Sequence, residues 1–366
     1  MKELFDNDFK GKTVLVTGHT GFKGSWLSIW LKQLGANVIG YALEPYTEND
    51  NFVVAKLGSK IRSVIGDIED YDKLRRVFGE YQPEIVFHMA AQSLVRLSYK
   101  QPKSTYGTNV VGTVNLLECC RLTDSVKVII NVTSDKCYEN GDSTRGYRED
   151  DPLGGYDPYS SSKACSEIIT SAYRSSFFNA KENNKALSTV RAGNVIGGGD
   201  WREDRLVPDC IRALNKNEPI GIRSPKSVRP WQYVLEPLSG YLMLASRMYE
   251  NGEKYSGAWN FGPAQGSIIT AEELVRSVIK HWGEGQYKDL SEGLSSEPHE
   301  AKMLLLDISK AIAQLGWRPI LSINEAIEYT VNWYKASDVN YDFCVGQVDD
   351  YVGKLTTRQK TGSHAR

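Results

Sequence analysis

A β-branched run, Lys12–Thr17, leads into Gly18-His19-Thr20-Gly21-Phe22-Lys23-Gly24. A helical pattern follows from Ser25 to Leu34 and is stopped by Gly35. No other stretch restricts the fold as strongly. Strand, glycine turn and helix in that order are the context in which a glycine motif points to a dinucleotide. The glycines permit the tight turn and let backbone amides approach a pyrophosphate at the positive start of the helix. The spacing is Gly-xx-Gly-xx-Gly rather than the commoner Gly-x-Gly-xx-Gly. A turn that serves only packing is the plain alternative, and the flanking strand and helix weigh against it.

The pattern then repeats. Asn37–Ala42 reads as a second strand, Val64–Ile68 as a third and Glu84–Ala91 as a fourth, with Tyr71–Phe78 helical between the last two. Asn109–Glu118 is a mostly apolar helix, and Val126–Val132 is an apolar run with the character of a buried parallel strand. Strands alternating with helices imply a right-handed, doubly wound parallel sheet, a Rossmann-type α/β fold. Asp67 ends the third strand where an acid meets adenine, and Ala90 and Ala91 are small enough for a cofactor to lie against the sheet. Ala42 stands where an NAD protein commonly has an acid, with Glu44 two residues on. No arginine in 42–46 favours a 2′-phosphate, so NAD is the expected cofactor.

After about Leu187 the texture changes, and a smaller substrate-binding lobe is expected. The expected division is an NAD-binding domain over 1–188 with a return at about 232–262, a lobe over 189–231 and 263–345, and a tail over 346–366. Thr189–Ile196 reads as one strand, Ala271–Trp282 and Ile323–Lys335 as helices, and Thr361–Arg366 as disordered. Arg202, Arg205, Arg223 and Arg229 lie among aromatics and glycines, which suits a phosphate-bearing ligand because guanidinium pairs bidentately with phosphate.

The chemistry concentrates at Ser134-Asp135-Lys136, at a strand's carboxyl end, and at Tyr159-xxx-Lys163. With 20 tyrosines in the chain, a Tyr-xxx-Lys pair is weak evidence alone. A second pair, Tyr99 and Lys103, has Pro102 inside it, which argues against a continuous helix there. Tyr159 and Lys163 open an uninterrupted helical pattern, so they share a face one turn apart. An ammonium so placed is expected to lower the phenol pKa from its usual value of about 10.

Composition narrows the field. A net charge of -1 gives no reason to expect nucleic acid or a membrane surface as partner. No run approaches the ~18 apolar residues of a membrane span, and no signal-peptide pattern opens the chain, so a cytoplasmic protein is expected. The 6 cysteines form no Cys-x-x-Cys pair and the 5 histidines no ligand spacing, so no metal is expected.

Taken together, Gly18-xx-Gly21-xx-Gly24, Asp67, Ala90-Ala91, Ser134 and Tyr159-xxx-Lys163 resemble the extended short-chain dehydrogenase/reductase superfamily over about residues 10–335. The Asp135-Lys136 pair after Ser134 resembles the nucleotide-sugar 4,6-dehydratases, whose usual pair is Asp-Glu, rather than the sugar epimerases with small residues there. His19, Lys23, Lys136 and the segment Arg229–Pro237 resemble the members acting on CDP-glucose. The resemblance implies NAD-dependent oxidation at C4, loss of water across C5 and C6, and hydride return to C6. It implies Ser134, Asp135, Lys136, Tyr159 and Lys163 as catalytic residues. It implies Gly18, His19, Gly21, Phe22, Lys23, Gly24, Asp67, Ile68, Ala90, Ala91 and Asn109, with Tyr159 and Lys163, on the cofactor. Gln92, Asn194, Arg205, Arg229 and His299 are implied on the sugar nucleotide. A homodimer through the helices around Asn109–Glu118 and Tyr159–Ser175 is also implied, as is a role in dideoxysugars of bacterial surface polysaccharide. Lys136 departs from the usual Glu: a lysine with an ordinary pKa near 10.4 is mostly protonated and acts as a base only if that value is depressed. Three rivals stay open: a dehydratase of a dTDP- or GDP-sugar, an epimerase or reductase without need of Asp135, and a dinucleotide sensor without need of the Ser-Tyr-Lys set.

Overall fold

The computed structural model describes residues 5, 7–139, 145–178, 185–291 and 304–362. Its centre is a seven-stranded parallel sheet of β1 (Thr13–Thr17), β2 (Asn37–Ala42), β3 (Arg62–Ile65), β4 (Ile85–His88), β5 (Val128–Val132), β6 (Ala186–Arg191) and β7 (Gly257–Asn260). The order across the sheet is β7-β6-β5-β4-β1-β2-β3. The order reverses direction between β1 and β4, and ligands of such sheets bind at the strand ends beside that switch point.

Alternation along each strand builds two cores. Val14, Val16, Phe87, Val128 and Ile130 face one way, packing with Trp26 and Trp30 of α1 (Phe22–Gln33). Leu15, Val86, Ile129 and Leu187 face the other, against α2 (Tyr71–Tyr81) and α3 (Gly112–Arg121). Strands buried on both faces need apolar side chains at successive positions, which is why these runs read as nearly continuous. α4 (Pro158–Ser176) follows β5 and carries Tyr159 and Lys163 in its first turns.

Several boundaries differ from the sequence expectation. β3 ends at Ile65, so Asp67 lies in the loop beyond it. The helix expected at Asn109 begins with a wider π turn, Gly107–Val111, before α3 proper. The run Thr189–Ile196 is not one strand. It continues β6 past the expected domain boundary at 188 to Arg191, and Asn194 then turns the chain at φ 48°. Val195–Ile196 pairs instead with Gln232–Tyr233. Around Pro102 the chain breaks into two short helices, Val95–Lys100 and Pro102–Tyr106, so Tyr99 and Lys103 share no helix.

Beyond β6 the chain forms α5 (Leu206–Asn215), the long buried helix α6 (Leu235–Glu250), α7 (Ala271–Trp282) and α8 (Ile323–Lys335). Thr270 with Glu273 and Ser322 with Glu325 form capping boxes that start α7 and α8. The expected tail is a helix, α9 (Tyr341–Gly362), which includes Thr361 and Gly362. Its Cys344, Val348, Tyr351 and Leu355 are buried. Tyr351 meets Trp30 edge-on at 5.7 Å and bonds Glu236 at 3.0 Å. The apolar stripe of a last helix needs a partner, and α1 supplies it. Residues 363–366 lie outside the described residues. No described helix is long and apolar enough to cross a membrane.

Candidate active site

A cavity of about 570 Å³ lies over the strand ends at the switch point. One end is lined by Asp67 and Ile68, the middle by the glycine loop, Ala90 and Ala91, and the other end by Lys136, Arg205 and Arg229. The glycine loop is closed tightly. Gly18 has φ +74°, and a Cβ on it would stand 2.8 Å from the Ala90 amide nitrogen. A Cβ on Gly24 would overlap the Gly18 carbonyl oxygen. Side chains are therefore excluded where backbone must approach backbone and ligand.

At the reaction end, Ser134 leaves β5 extended and caps a single turn, Asp135–Cys137. Its Oγ accepts the Lys136 amide at 3.2 Å and donates to Asp135 Oδ1 at 3.0 Å. The Asp135 carboxylate lies against Gly193, where a Cβ would overlap it. On the facing helix, Asp157 caps α4 by accepting from the Ser160 amide at 2.9 Å, which fixes the turn bearing Tyr159. Ser134, Asp135, Tyr159 and Lys163 are all buried, whereas Lys136 is half-buried at the cavity wall.

The electrostatics differ from expectation in one respect. Burial pushes the Tyr159 phenol up to about 12, with Asp135 adding to the rise and the bonded Ser134 hydroxyl and the Arg205 charge opposing it. Lys163 does not reverse this. Its ammonium donates to the Val132 carbonyl at 3.2 Å, and burial pulls its own pKa down to about 8. Both groups are buried, and low dielectric disfavours each charged form. Lys23, in the first turn of α1, is likewise brought to about 8 by burial and by the charges of Lys163 and Arg205, with Asp135 opposing. Its ammonium therefore lies within the field of Lys163, Arg205 and Asp135 on the cavity wall.

Gly18, Gly21, Phe22, Lys23, Gly24, Asp67, Ile68, Ala90, Ala91, Asn194, Arg205 and Arg229 line this cavity with the five candidate catalytic residues. Three predicted residues stand elsewhere. The His19 ring is turned under β2 against Gly40, with Nε2 at 2.7 Å from Ser63 Oγ, because the tight turn points that side chain into the core. Asn109 is buried and holds the loop after β4, accepting the Gln92 amide and donating to the Gln92 carbonyl, each at 2.9 Å. The Gln92 side chain is spent on Leu94 and Thr105. His299 lies outside the described residues.

Two features escaped sequence reasoning. Gly193 is the floor beneath Asp135, and Ser93 accepts a bond at 2.8 Å from Arg205, which also pairs with Asp200 at 2.7 Å. Each joins residues far apart in the chain, so no local pattern announces it. Among the described residues, no cluster of three or more His, Cys, Asp or Glu side chains is arranged for a metal ion.

Residues 15–330 match the family model described as GDP-mannose 4,6 dehydratase. A CDP-glucose 4,6-dehydratase of Salmonella typhimurium is 50% identical over 362 residues, covering 96% of this chain and 100% of that protein. A dTDP-glucose 4,6-dehydratase of Xanthomonas campestris is 26% identical over 333 residues, covering 88% of this chain and 93% of that protein. Among solved structures, the dTDP-glucose 4,6-dehydratase DesIV of Streptomyces venezuelae, with NAD bound, superposes with TM-score 0.76 at 24% identity. It covers 88% of this chain and 97% of that one.

Proposed function

The chain belongs to the GDP-mannose 4,6-dehydratase family, and on that premise we propose that it converts CDP-glucose to CDP-4-keto-6-deoxyglucose and water with NAD as cofactor. The observation that carries this is the buried Asp135 carboxylate, bonded to Ser134 beside the Tyr159 phenol. An epimerase needs the serine and the tyrosine but has no use for a buried acid next to them. Identity of 50% to a CDP-glucose 4,6-dehydratase over its whole length favours the cytidine nucleotide over its dTDP and GDP counterparts.

The cavity fits NAD. The glycine loop keeps backbone free of side chains at the start of α1, Asp67 and Ile68 wall one end, and Ala90 and Ala91 leave the sheet surface low. Bound there, NAD would supply the acceptor for the C4 hydride and the source of the hydride for C6. The protein's residues handle the protons. Tyr159, as phenolate, takes the proton of the sugar 4-hydroxyl, and Ser134 bonds the same oxygen. Arg205 and the bonded Ser134 hydroxyl favour that phenolate against burial, and Lys163, one turn further along α4, is assigned to hold it. The new ketone acidifies the C5 proton. Lys136, when unprotonated, receives that proton, or it stabilises the enolate while water or another group receives it. Asp135, protonated, gives its proton to the departing C6 hydroxyl, which leaves as water, and C5 regains a proton from the base or from solvent as C6 is reduced. Arg205 and Arg229 are assigned to the sugar nucleotide and Asn194 to its floor.

Two further parts of the reading concern assembly and place. A homodimer is assigned to the helices around Asn109–Glu118 and Tyr159–Ser175, where Val111 and Ile168 are exposed apolar groups. All six cysteines are free, which suits the reducing cytoplasm.

The test is mass spectrometry of products after incubation with catalytic NAD and, in parallel, CDP-glucose, dTDP-glucose and GDP-mannose. Loss of one water from CDP-glucose alone is expected. Water loss from another sugar overturns the nucleotide assignment, and an isomer without mass change overturns the dehydratase.

A further inference from the structure

Behind the reaction end lies a buried charge pair that touches none of the cavity. Glu167 stands one helical turn beyond Lys163 on α4, and Arg191 ends β6. The guanidinium meets the carboxylate bidentately, Nε to Oε1 and Nη2 to Oε2, both at 2.9 Å. The pair is 3% and 2% exposed, so it is fully desolvated. Such a pair is costly to bury unless its remaining valences are filled. Here they are. Thr133 donates to Glu167 Oε1 at 2.5 Å and Thr189 to Oε2 at 2.7 Å. Arg191 reaches on to the Tyr138 hydroxyl at 2.6 Å and the Glu149 carbonyl at 3.1 Å.

Two of these partners bracket the catalytic turn. Thr133 immediately precedes Ser134, and Tyr138 follows Cys137, the last residue of the turn. The whole segment 133–138 is therefore clamped from below at both ends by one ion pair. The third link is electrostatic. Burial pushes Glu167 up, but Arg191 and the two hydroxyls overcome it and leave the carboxyl below its ordinary value. That fixed negative charge favours the ammonium of Lys163.

We propose that Glu167 is a positioning residue of this reaction: locked by Arg191, it fixes the height of Ser134 and Asp135 through Thr133 and keeps Lys163 cationic. The groups facing Lys163 are Glu167 on its own helix, Cys137 from the catalytic turn, Lys23 from α1 and His88 from β4. Those facing Glu167 are Arg191 from β6, Arg174 on its own helix and Cys137. Glu167 is the one fixed carboxylate against Lys163 among them. Removing its charge leaves Arg191 unopposed and lowers the pH at which Lys163 loses its proton.

The kinetic half of the test rests on the Tyr159–Lys163 reading above; the spectroscopic half does not. Full-length protein labelled with ¹³Cε-lysine is titrated by NMR without substrate, and the Lys163 resonance is assigned by its loss in Lys163→Met. In Glu167→Gln the Lys163 midpoint falls by about one pH unit. The alkaline limb of kcat/KM moves down with it, and kcat drops about tenfold with little change in KM. Glu167→Asp keeps the charge and restores the midpoint but not kcat. Thr133→Val keeps the ion pair, so its midpoint stays and its kcat falls about tenfold. An unmoved Lys163 midpoint in folded Glu167→Gln overturns the proposal. If Glu167→Gln does not fold, Thr133→Val decides: normal kcat overturns the clamp, and reduced kcat with an unchanged melting temperature supports it. If the wild type removes no water from CDP-glucose, the functional reading fails while the NMR midpoints still judge the charge relationship.

Discussion

The Ser134 hydroxyl donates to Asp135 Oδ1 at 3.0 Å, tying the residue proposed to bond the sugar 4-oxygen to the one proposed as acid for the 6-hydroxyl. An amide can accept the same bond but cannot deliver a proton as a carboxylic acid does. Asp135→Asn is therefore expected to keep C4 oxidation and to lose water elimination by about 10²–10⁴-fold. Single-turnover absorbance of the reduced nicotinamide should rise and persist in this variant. Wild-type turnover would remove Asp135 from the elimination step.

Lys136 stands half-buried on the cavity wall, and its amide is bonded to Ser134. Its proposed role concerns the C5 proton. In Lys136→Ala, solvent deuterium incorporation at C5 should fall by about 10²-fold or more, while the first oxidation persists. Normal incorporation together with normal turnover would rule the role out.

Gly24→Ala places a methyl on the Gly18 carbonyl oxygen, with backbone on both sides and no flexible group to yield. The loop must shift, at a cost of about 1–3 kcal/mol, and NAD affinity should drop with it. Gly79→Ala is the control, since nothing lies within 4 Å of its added methyl in the exposed α2 helix; it should stabilise slightly. Thermal melts with an NAD titration compare the two, and equal NAD affinity would show that the loop tolerates a side chain.

Burial pulls His88 down to about 3 and His19 down to about 4, from an ordinary 6.5. The folded values are depressed, so the stability is fully present above pH 6.5 and is lost as pH falls toward those values, because only the unfolded chain takes up the protons. Each group contributes a slope of about 1.4 kcal/mol per pH unit in that window. His88→Asn, which can still bond Thr17 or Thr113, should flatten the fall between pH 6.5 and 4 by one such slope. Urea melts across that range measure it; an unchanged slope in the variant would mean that His88 is charged in the fold.

Much of the site could be read locally. A strand, a glycine turn and a helix are adjacent in sequence and in space, so the pattern at 12–34 carries its own geometry. The same holds for Tyr159 and Lys163, one turn apart on one helix. The NAD-binding sheet followed from repeated alternation, because a parallel strand covered on both faces leaves no polar positions to hide its identity.

What lies at the ends of those elements was another matter. His19 and Asn109 sit at positions that a motif marks as cofactor-facing. The turn of the loop sends the first into the core, and a buried amide network claims the second. The last helix is only weakly patterned, and α1 with Glu236 secures it from more than a hundred residues away. The sequence by itself determined which chemical groups the strand ends would present and which sheet would present them. Only the tertiary structure decided their electrostatics and heights: Tyr159 pushed up to about 12, Lys163 brought to about 8, Asp135 seated on Gly193 and the turn after Ser134 clamped by Glu167 and Arg191. Desolvation and ion pairing depend on what the rest of the chain packs around a group, and that is set by contacts between residues far apart in the sequence.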